Sequence, residues 1–375
     1  MMFGILDRYI GRSILLTSLL VLLTLVSLAS IFAFISELDE VGKGNYTLGR
    51  AAQYIFLTIP GQAYLLFAPA VLLGSLLGLG AMATNSELTV MRAAGVSVAR
   101  IIRAVLVTGI ALALLIAVIG ETILPKTEQI AEELRLTALE KRLSVQGSGG
   151  LWLKSGDRFV NIGTVMPDFT LIDLSIHEFQ NNQIILALDA AFARPEGDDW
   201  QLEGTVVTRF NDDSVQNDAI DSILWSDFLR RFSVTTVTQD KQSVNSALVS
   251  ADVLKSFSVS PESLSAKDLY EQIQYLEDNQ LDSRTIELAF WVKIASPLST
   301  LVMLMLSLPF VFSSQRSGGA GQKIFIGIIL GIAYTLINRL VTQIALANGF
   351  TPALSAMLPL MGFLLVAVIA IRRIA

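Results

Sequence analysis

The stretch ILLTSLLVLLTLVSLASIFAFI, Ile14–Ile35, runs for 22 residues without a charge. A helix needs about 20 apolar residues to cross the hydrocarbon core of a bilayer. In lipid such a segment can satisfy its backbone groups only as helix. The run is too long for a signal-peptide core and no small-residue cleavage site follows it, so it reads as a retained span. Moving outward, five more spans appear. The second runs from about Tyr54 to Met82 and is interrupted by Pro60 and Pro69, which neighbouring helices can accommodate. The third covers about Ala104–Leu124. After a long polar stretch come about Leu288–Phe312, Ile324–Ala347 and Ala353–Ile371.

The charges are divided as unevenly as the apolar runs. Of 375 residues 53% are hydrophobic and 16% charged, against about 45–50% and about 25% in soluble domains. Between Pro125 and Glu287 there are 14 Lys/Arg and 27 Asp/Glu, a net charge of −13 within a chain of formal charge −6. That segment reads as a soluble acidic domain. Short loops on one side of the spans carry Arg8, Arg12, Arg92, Arg100, Arg103, Arg316, Lys323, Arg372 and Arg373; those on the other carry only Lys43 and Arg50, beside Glu37, Asp39 and Glu40. Cytoplasmic loops hold the Lys/Arg excess, which predicts cytoplasmic termini and an acidic domain in the periplasm of a bacterium. The expected class is an α-helical membrane protein with six transmembrane helices and a periplasmic all-β domain inserted between helices 3 and 4. The expected division is 1–124 for the first three spans, 125–287 for the outer domain and 288–375 for the last three spans.

In the middle segment the period changes. Trp152–Lys154, Arg158–Gly163, Leu171–Phe179, Ile184–Arg194 and Trp200–Phe210 are β-branched and aromatic, and partly alternate. Turn residues separate them: Ser148-Gly149-Gly150, Met166-Pro167-Asp168, Asn181-Asn182 and Glu196-Gly197-Asp198-Asp199. Short, evenly spaced strands predict an antiparallel sandwich or jelly roll. Lys126–Leu143 is helix-like and extends the third span outward. Ser265–Leu276 opens with a Ser-Ala-Lys-Asp capping pattern and predicts a helix.

Catalytic chemistry is hard to find. There is no cysteine, hence no disulfide or thiolate metal site. The single His177 sits in a strand-like run and reads as an ordinary sheet residue. Gly318-Gly319-Ala320-Gly321-Gln322-Lys323 lacks the Gly-Lys-Ser/Thr ending of a nucleotide loop and joins two spans. Neither a Gly-x-Ser-x-Gly elbow nor a His-Glu-x-x-His motif occurs. Paired carboxylates lie in the acidic domain, where a solvated surface accounts for them. An intramembrane protease therefore has no catalytic set to work with, and if the protein does work, another chain is expected to supply the energy. Glycines four apart, Gly74 and Gly78 with Gly80, then Gly327 and Gly331, suit close helix–helix approach; ordinary membrane-helix composition also explains them.

The most informative short segment is Asn85-Ser86-Glu87-Leu88-Thr89-Val90-Met91-Arg92-Ala93-Ala94-Gly95, about 85–95, after the second span. Asn85 or Ser86 can cap a helix, Glu87 suits its positive end, and Gly95 can close it. Leu88 and Met91 share a face. Two readings stand: a helix that docks in a groove of a cytoplasmic partner, or an amphipathic connector resting on lipid.

Several of these segments together resemble the LptF/LptG permease family. They are Phe3-Gly4-Ile5-Leu6-Asp7-Arg8-Tyr9-Ile10-Gly11, Leu76-Leu77-Gly78-Leu79-Gly80, the Ser86-Glu87-Leu88-x-x-Met91-x-Ala93-x-Gly95 loop, and Gly150-Leu151-Trp152. The nonapeptide and the loop are closer to its LptG branch than to LptF, which shares the architecture. The resemblance implies a permease subunit of an ABC transporter that extracts lipopolysaccharide from the inner membrane and passes it toward the outer membrane. It implies a β-jelly-roll outer domain, and as partners the LptF permease, an LptB ATPase dimer, LptC and membrane lipids, with no nucleic acid. It implies no cofactor in this chain, ATP and Mg being bound by the ATPase. On this resemblance Glu87 makes an ionic contact with the ATPase, Leu88 and Met91 pack in its groove, Arg92 lies at the rim and Gly95 ends the helix. The first and fifth spans form the seam with the partner permease, and the second helps line the cavity.

In one place the chain departs from that pattern. The family places lysines just after the first span, facing lipid phosphates; here the residues are Glu37-Leu38-Asp39-Glu40. Lys126 and Arg135, beyond the third span, are the cations that fit the basic mouth, though exposed surface charges would look the same. Phe67 and Arg339 complete the lipid-binding candidates. Intramembrane charges are costly and face protein or water: Lys293 is expected to snorkel outward, and deeper Arg339 to face the cavity or an acidic partner. The competing reading is a membrane-anchored periplasmic scaffold or receptor without a transport role, which would have no use for a coupling helix.

Overall fold

The computed structural model describes residues 4–139, 151–155, 158–166, 170–180, 183–196, 199–211, 214–232, 260–278, 282–313 and 320–373. Six of its helices are long and apolar enough to cross a membrane. They are α1 (Ile5–Glu37), α2 (Leu48–Thr84), α4 (Val98–Thr122), α8 (Arg284–Ser313), α9 (Ala320–Asn348) and α10 (Pro352–Arg372). A short helix, α3 (Glu87–Ala93), joins α2 to α4. At the other end of the bundle α5 (Leu124–Leu139) continues from α4 toward the β domain. At 37 residues α2 is about 55 Å long, well beyond a hydrocarbon core of about 30 Å. Pro60 and Pro69 lie inside it without ending it.

The helices pack around Ile10, Ile14, Leu72, Leu76, Leu79, Ile101, Leu112, Met303 and Leu304. Burial differs sharply among the spans. In α2 and α8, 72% and 61% of the most apolar stretch is buried, but in α1 and α9 only 17% and 11%. The last two are the spans that this chain leaves open to lipid or to another subunit.

The expected glycine contacts are present, and both converge on α2. A Cβ on Gly74 would lie 2.3 Å from Ser18 Cα, and one on Gly78 would lie 2.7 Å from Thr17 Oγ1. Thr17 Oγ1 donates to the Gly74 carbonyl at 2.7 Å, and Ser30 Oγ donates to Gln62 Oε1 at 2.8 Å. Small residues let the backbones meet, and polar ones tie them. On the opposite side, a Cβ on Gly327 would meet Leu73 and Leu76 at 2.7 Å.

The inserted domain is a six-stranded antiparallel sheet in sequential order: β1 (Leu151–Ser155), β2 (Arg158–Val165), β3 (Leu171–Gln180), β4 (Gln183–Glu196), β5 (Asp199–Asn211) and β6 (Ser214–Leu224). The first five match the expected strands; most residues of the expected turns lie outside the described set. β6 has no counterpart in the sequence reading, because Val215–Ala219 are all exposed and show no alternation. The short helix α6 (Trp225–Phe232) was also not foreseen. Its Trp225, Phe228 and Phe232 stack on one another at 5.2 and 5.4 Å and join the core of the sheet.

The strands only partly alternate for a structural reason. Buried positions advance by three instead of two at one place in each of three strands, Ile162 to Val165, Ala190 to Ala193 and Leu202 to Thr205, and at the matching place in β3, Leu171–Leu174, adjacent Leu171 and Ile172 are both buried. The four places pair laterally and make one line across the sheet. Asp173 (φ 55°) and Gly204 (φ 62°) on that line have left-handed backbone. It behaves as a crease, as bulges do.

α7 (Ala266–Asp278) returns the chain to the bundle. Its predicted cap is present: Asp268 N–H donates to Ser265 Oγ at 3.1 Å.

Candidate functional site

At the end of the bundle far from the sheet, α3 follows a left-handed Ser86 (φ 60°). Neither Ser86 nor Asn85 caps it through a side chain; the expected cap is replaced by this tight turn. Glu87 opens the helix, where a carboxylate complements the free N–H groups. Its Oε2 accepts from the Tyr9 hydroxyl of α1 at 2.8 Å. Gly95, at φ 89°, closes the turn as expected: its N–H donates to Arg92 O, and Val96 N–H to Met91 O, both at 3.0 Å. Leu88 is fully buried in the bundle's own core, and Met91 packs against that core. The side of α3 left outward is Thr89, Val90, Arg92 and Ala93. In this conformation the bundle's own core buries Leu88 and takes up part of Met91, the two residues expected to fill a partner's groove.

At the other end, Arg135 of α5 donates from Nε to Glu37 Oε1 at 2.8 Å, with the side chains 26% and 10% exposed. The guanidinium lies 5.4 Å from the Tyr54 ring. Buried Tyr46 belongs to the same corner, and burial followed by neighbouring Glu37 pushes its phenol well above its usual range. The loop after α1 docks on α5: Asn45 N–H donates to Ala138 O at 2.8 Å. Gly44 (φ 54°) would place a Cβ 3.0 Å from the Ala138 and Leu139 carbonyl oxygens. Further down α5, the Glu128 side chain packs against Gly61 of α2. This corner joins α1, α2 and α5 through charge and aromatic contact.

The sequence that folds in this way is similar to known proteins over nearly its whole length. The family described as lipopolysaccharide export system permease LptF/LptG matches residues 8–373. The chain belongs to the LptF/LptG family. Among curated relatives, lipopolysaccharide export system permease protein LptG of Escherichia coli strain K12 is 33% identical over 374 residues, 99% of each chain. The protein of the same name from Haemophilus influenzae strain Rd is 35% identical over 367 residues, 97% of each chain.

In this LptF/LptG permease the remaining candidates fall into distinct settings. Phe67, a lipid-binding candidate, is buried in the bundle core with Val71 and Leu72; the α2 face that carries it is turned toward its neighbours. Lys126 is exposed on α5. Arg339 is exposed on α9 between Leu336 and Leu340 and makes no ion pair with any described residue. Lys293 does not snorkel: it is buried, and its ammonium donates to the Leu264 carbonyl. His177 stacks on Trp152 at 6.5 Å. The contacts of Tyr9, Glu37 and Glu121 escaped the sequence reading, since partners 78 to 145 positions away leave no local pattern.

Proposed function

We propose that this permease subunit extracts lipopolysaccharide from the inner membrane and passes it toward the outer membrane. It has no catalytic activity of its own, and a separate ATPase supplies the work. The observation that carries the reading is the family match over nearly the whole chain, on a bundle whose α1 and α9 are the least covered spans. Those two helices suit a seam with a second permease, LptF, around a cavity for the lipid. The Lys/Arg asymmetry supports cytoplasmic termini and a periplasmic outer domain of residues 125–287, between membrane segments 1–124 and 288–375. That domain, whose described strands form one antiparallel meander, takes a jelly-roll-like form suited to handing the lipid to LptC. At the cytoplasmic end, Glu87, Val90 and Arg92 form the surface of α3 that an LptB dimer would grip. Leu88 and Met91 anchor that surface to the bundle, and Gly95 closes it. A polyanionic lipid needs cations; exposed Lys126 and Arg339 are candidates, and Arg135 joins them when its pairing with Glu37 opens.

The test is reconstitution of the chain with its co-purifying ATPase. Glu87→Ala is expected to lower lipid release per ATP by at least about tenfold, since loss of one member of a charged contact costs a few kcal/mol. Unchanged release from that variant removes α3 as the coupling element.

A further inference from the structure

Buried Lys293 has no part in the reading above. It lies in α8 at 8% exposure, near the end of the bundle that carries the sheet. Its ammonium donates to the carbonyl of Leu264, directly ahead of α7. The carboxylates whose fields reach it are Glu121, at the end of α4, and Asp268, in the first turn of α7. Glu121 also holds that turn: its Oε1 and Oε2 accept from Ala266 N–H at 3.2 and 3.0 Å. The start of α7 is therefore gripped from two spans, through a carbonyl by α8 and through an N–H by α4. Along its length Leu264, Leu269, Ile273 and Leu276 bury against Ile286 and Ala289 of α8. Tyr275 packs against this cluster and also against the core of the sheet. A charge buried beside a membrane is costly and persists where it holds something.

We propose that α7 is a strut seated by Lys293 and Glu121, which makes the β domain move as one body with α4 and α8. Lys293 and Glu121 are positioning residues: they act on the lipid only through the placement of the domain. The functional half of this proposal rests on the lipid-export reading; the geometric half does not.

The chain has no cysteine, so Asp218→Cys on β6 and Leu354→Cys on α10 give a single spin-label pair in the full chain in lipid nanodiscs. A narrow distance distribution is expected. Lys293→Met and Glu121→Ala each broaden it. Glu121→Gln keeps a carbonyl for Ala266 N–H and leaves the distribution narrow. In the complex with its ATPase, the two broadening variants hydrolyse ATP normally but release about fivefold less lipid per ATP, which damage to the motor would not produce. Should Lys293→Met fail to express, Glu121→Ala decides. A narrow distribution in every variant that expresses overturns the strut. If the unaltered chain releases no lipid although the variants broaden the distance, the export reading fails and the strut stands.

Discussion

Arg135 and Glu37 sit at the domain end of α5 and α1, each less than a third exposed, and neither can lose its partner cheaply. Removing one member of a partly buried ion pair leaves the other charge poorly solvated, at roughly 2 kcal/mol. Arg135→Met and Glu37→Gln should each lower the thermal midpoint in detergent, and the double variant should lower it by less than their sum. Additive losses would mean that the two side chains are not coupled. Of this corner the sequence announced only Arg135. The acidic run after the first span looked like a departure from the family's lysines; in space it supplies the counter-ion for Arg135.

The spans were legible because lipid imposes one rule along their whole length, and the expected glycines Gly74, Gly78, Gly327 and Gly331 each meet a neighbouring element. At α1 and α2 the approach is set by backbone. Gly74→Leu must push Ser18 away and break the Thr17 bond, and overpacking of this kind costs about 1–3 kcal/mol. Reduced cysteine cross-linking between α1 and α2 is the expected readout; undiminished cross-linking would show that the helices meet elsewhere. Strands β1–β5 were read from β-branched and aromatic content, despite the slipped alternation. β6 and α6 were missed for opposite reasons. The strand is exposed and lacks any pattern. The helix shows apolar spacing of three and four at Trp225, Phe228 and Phe232, a signal that was present and went unread.

Across the whole molecule the separation of charge was the clearest message, because a long-range rule on loop composition survives ignorance of contacts. It makes a direct prediction for intact cells. A membrane-impermeant maleimide should label Asp218→Cys once the outer membrane is permeabilised, and Val90→Cys only after the inner membrane is opened. The reverse pattern would invert the molecule. Fold legibility ended where distant segments meet, at the α7 seat and the Arg135 corner. It ended also at the crease through Ile162–Val165, Leu171–Leu174, Ala190–Ala193 and Leu202–Thr205. That crease has an evolutionary corollary. A strand straightened on its own would turn half of its inward side chains toward water while its neighbours kept theirs dry. Divergence at any one of the four places is therefore constrained by the other three, and even among relatives that retain only a third of their residues the offset should be inherited whole or lost whole.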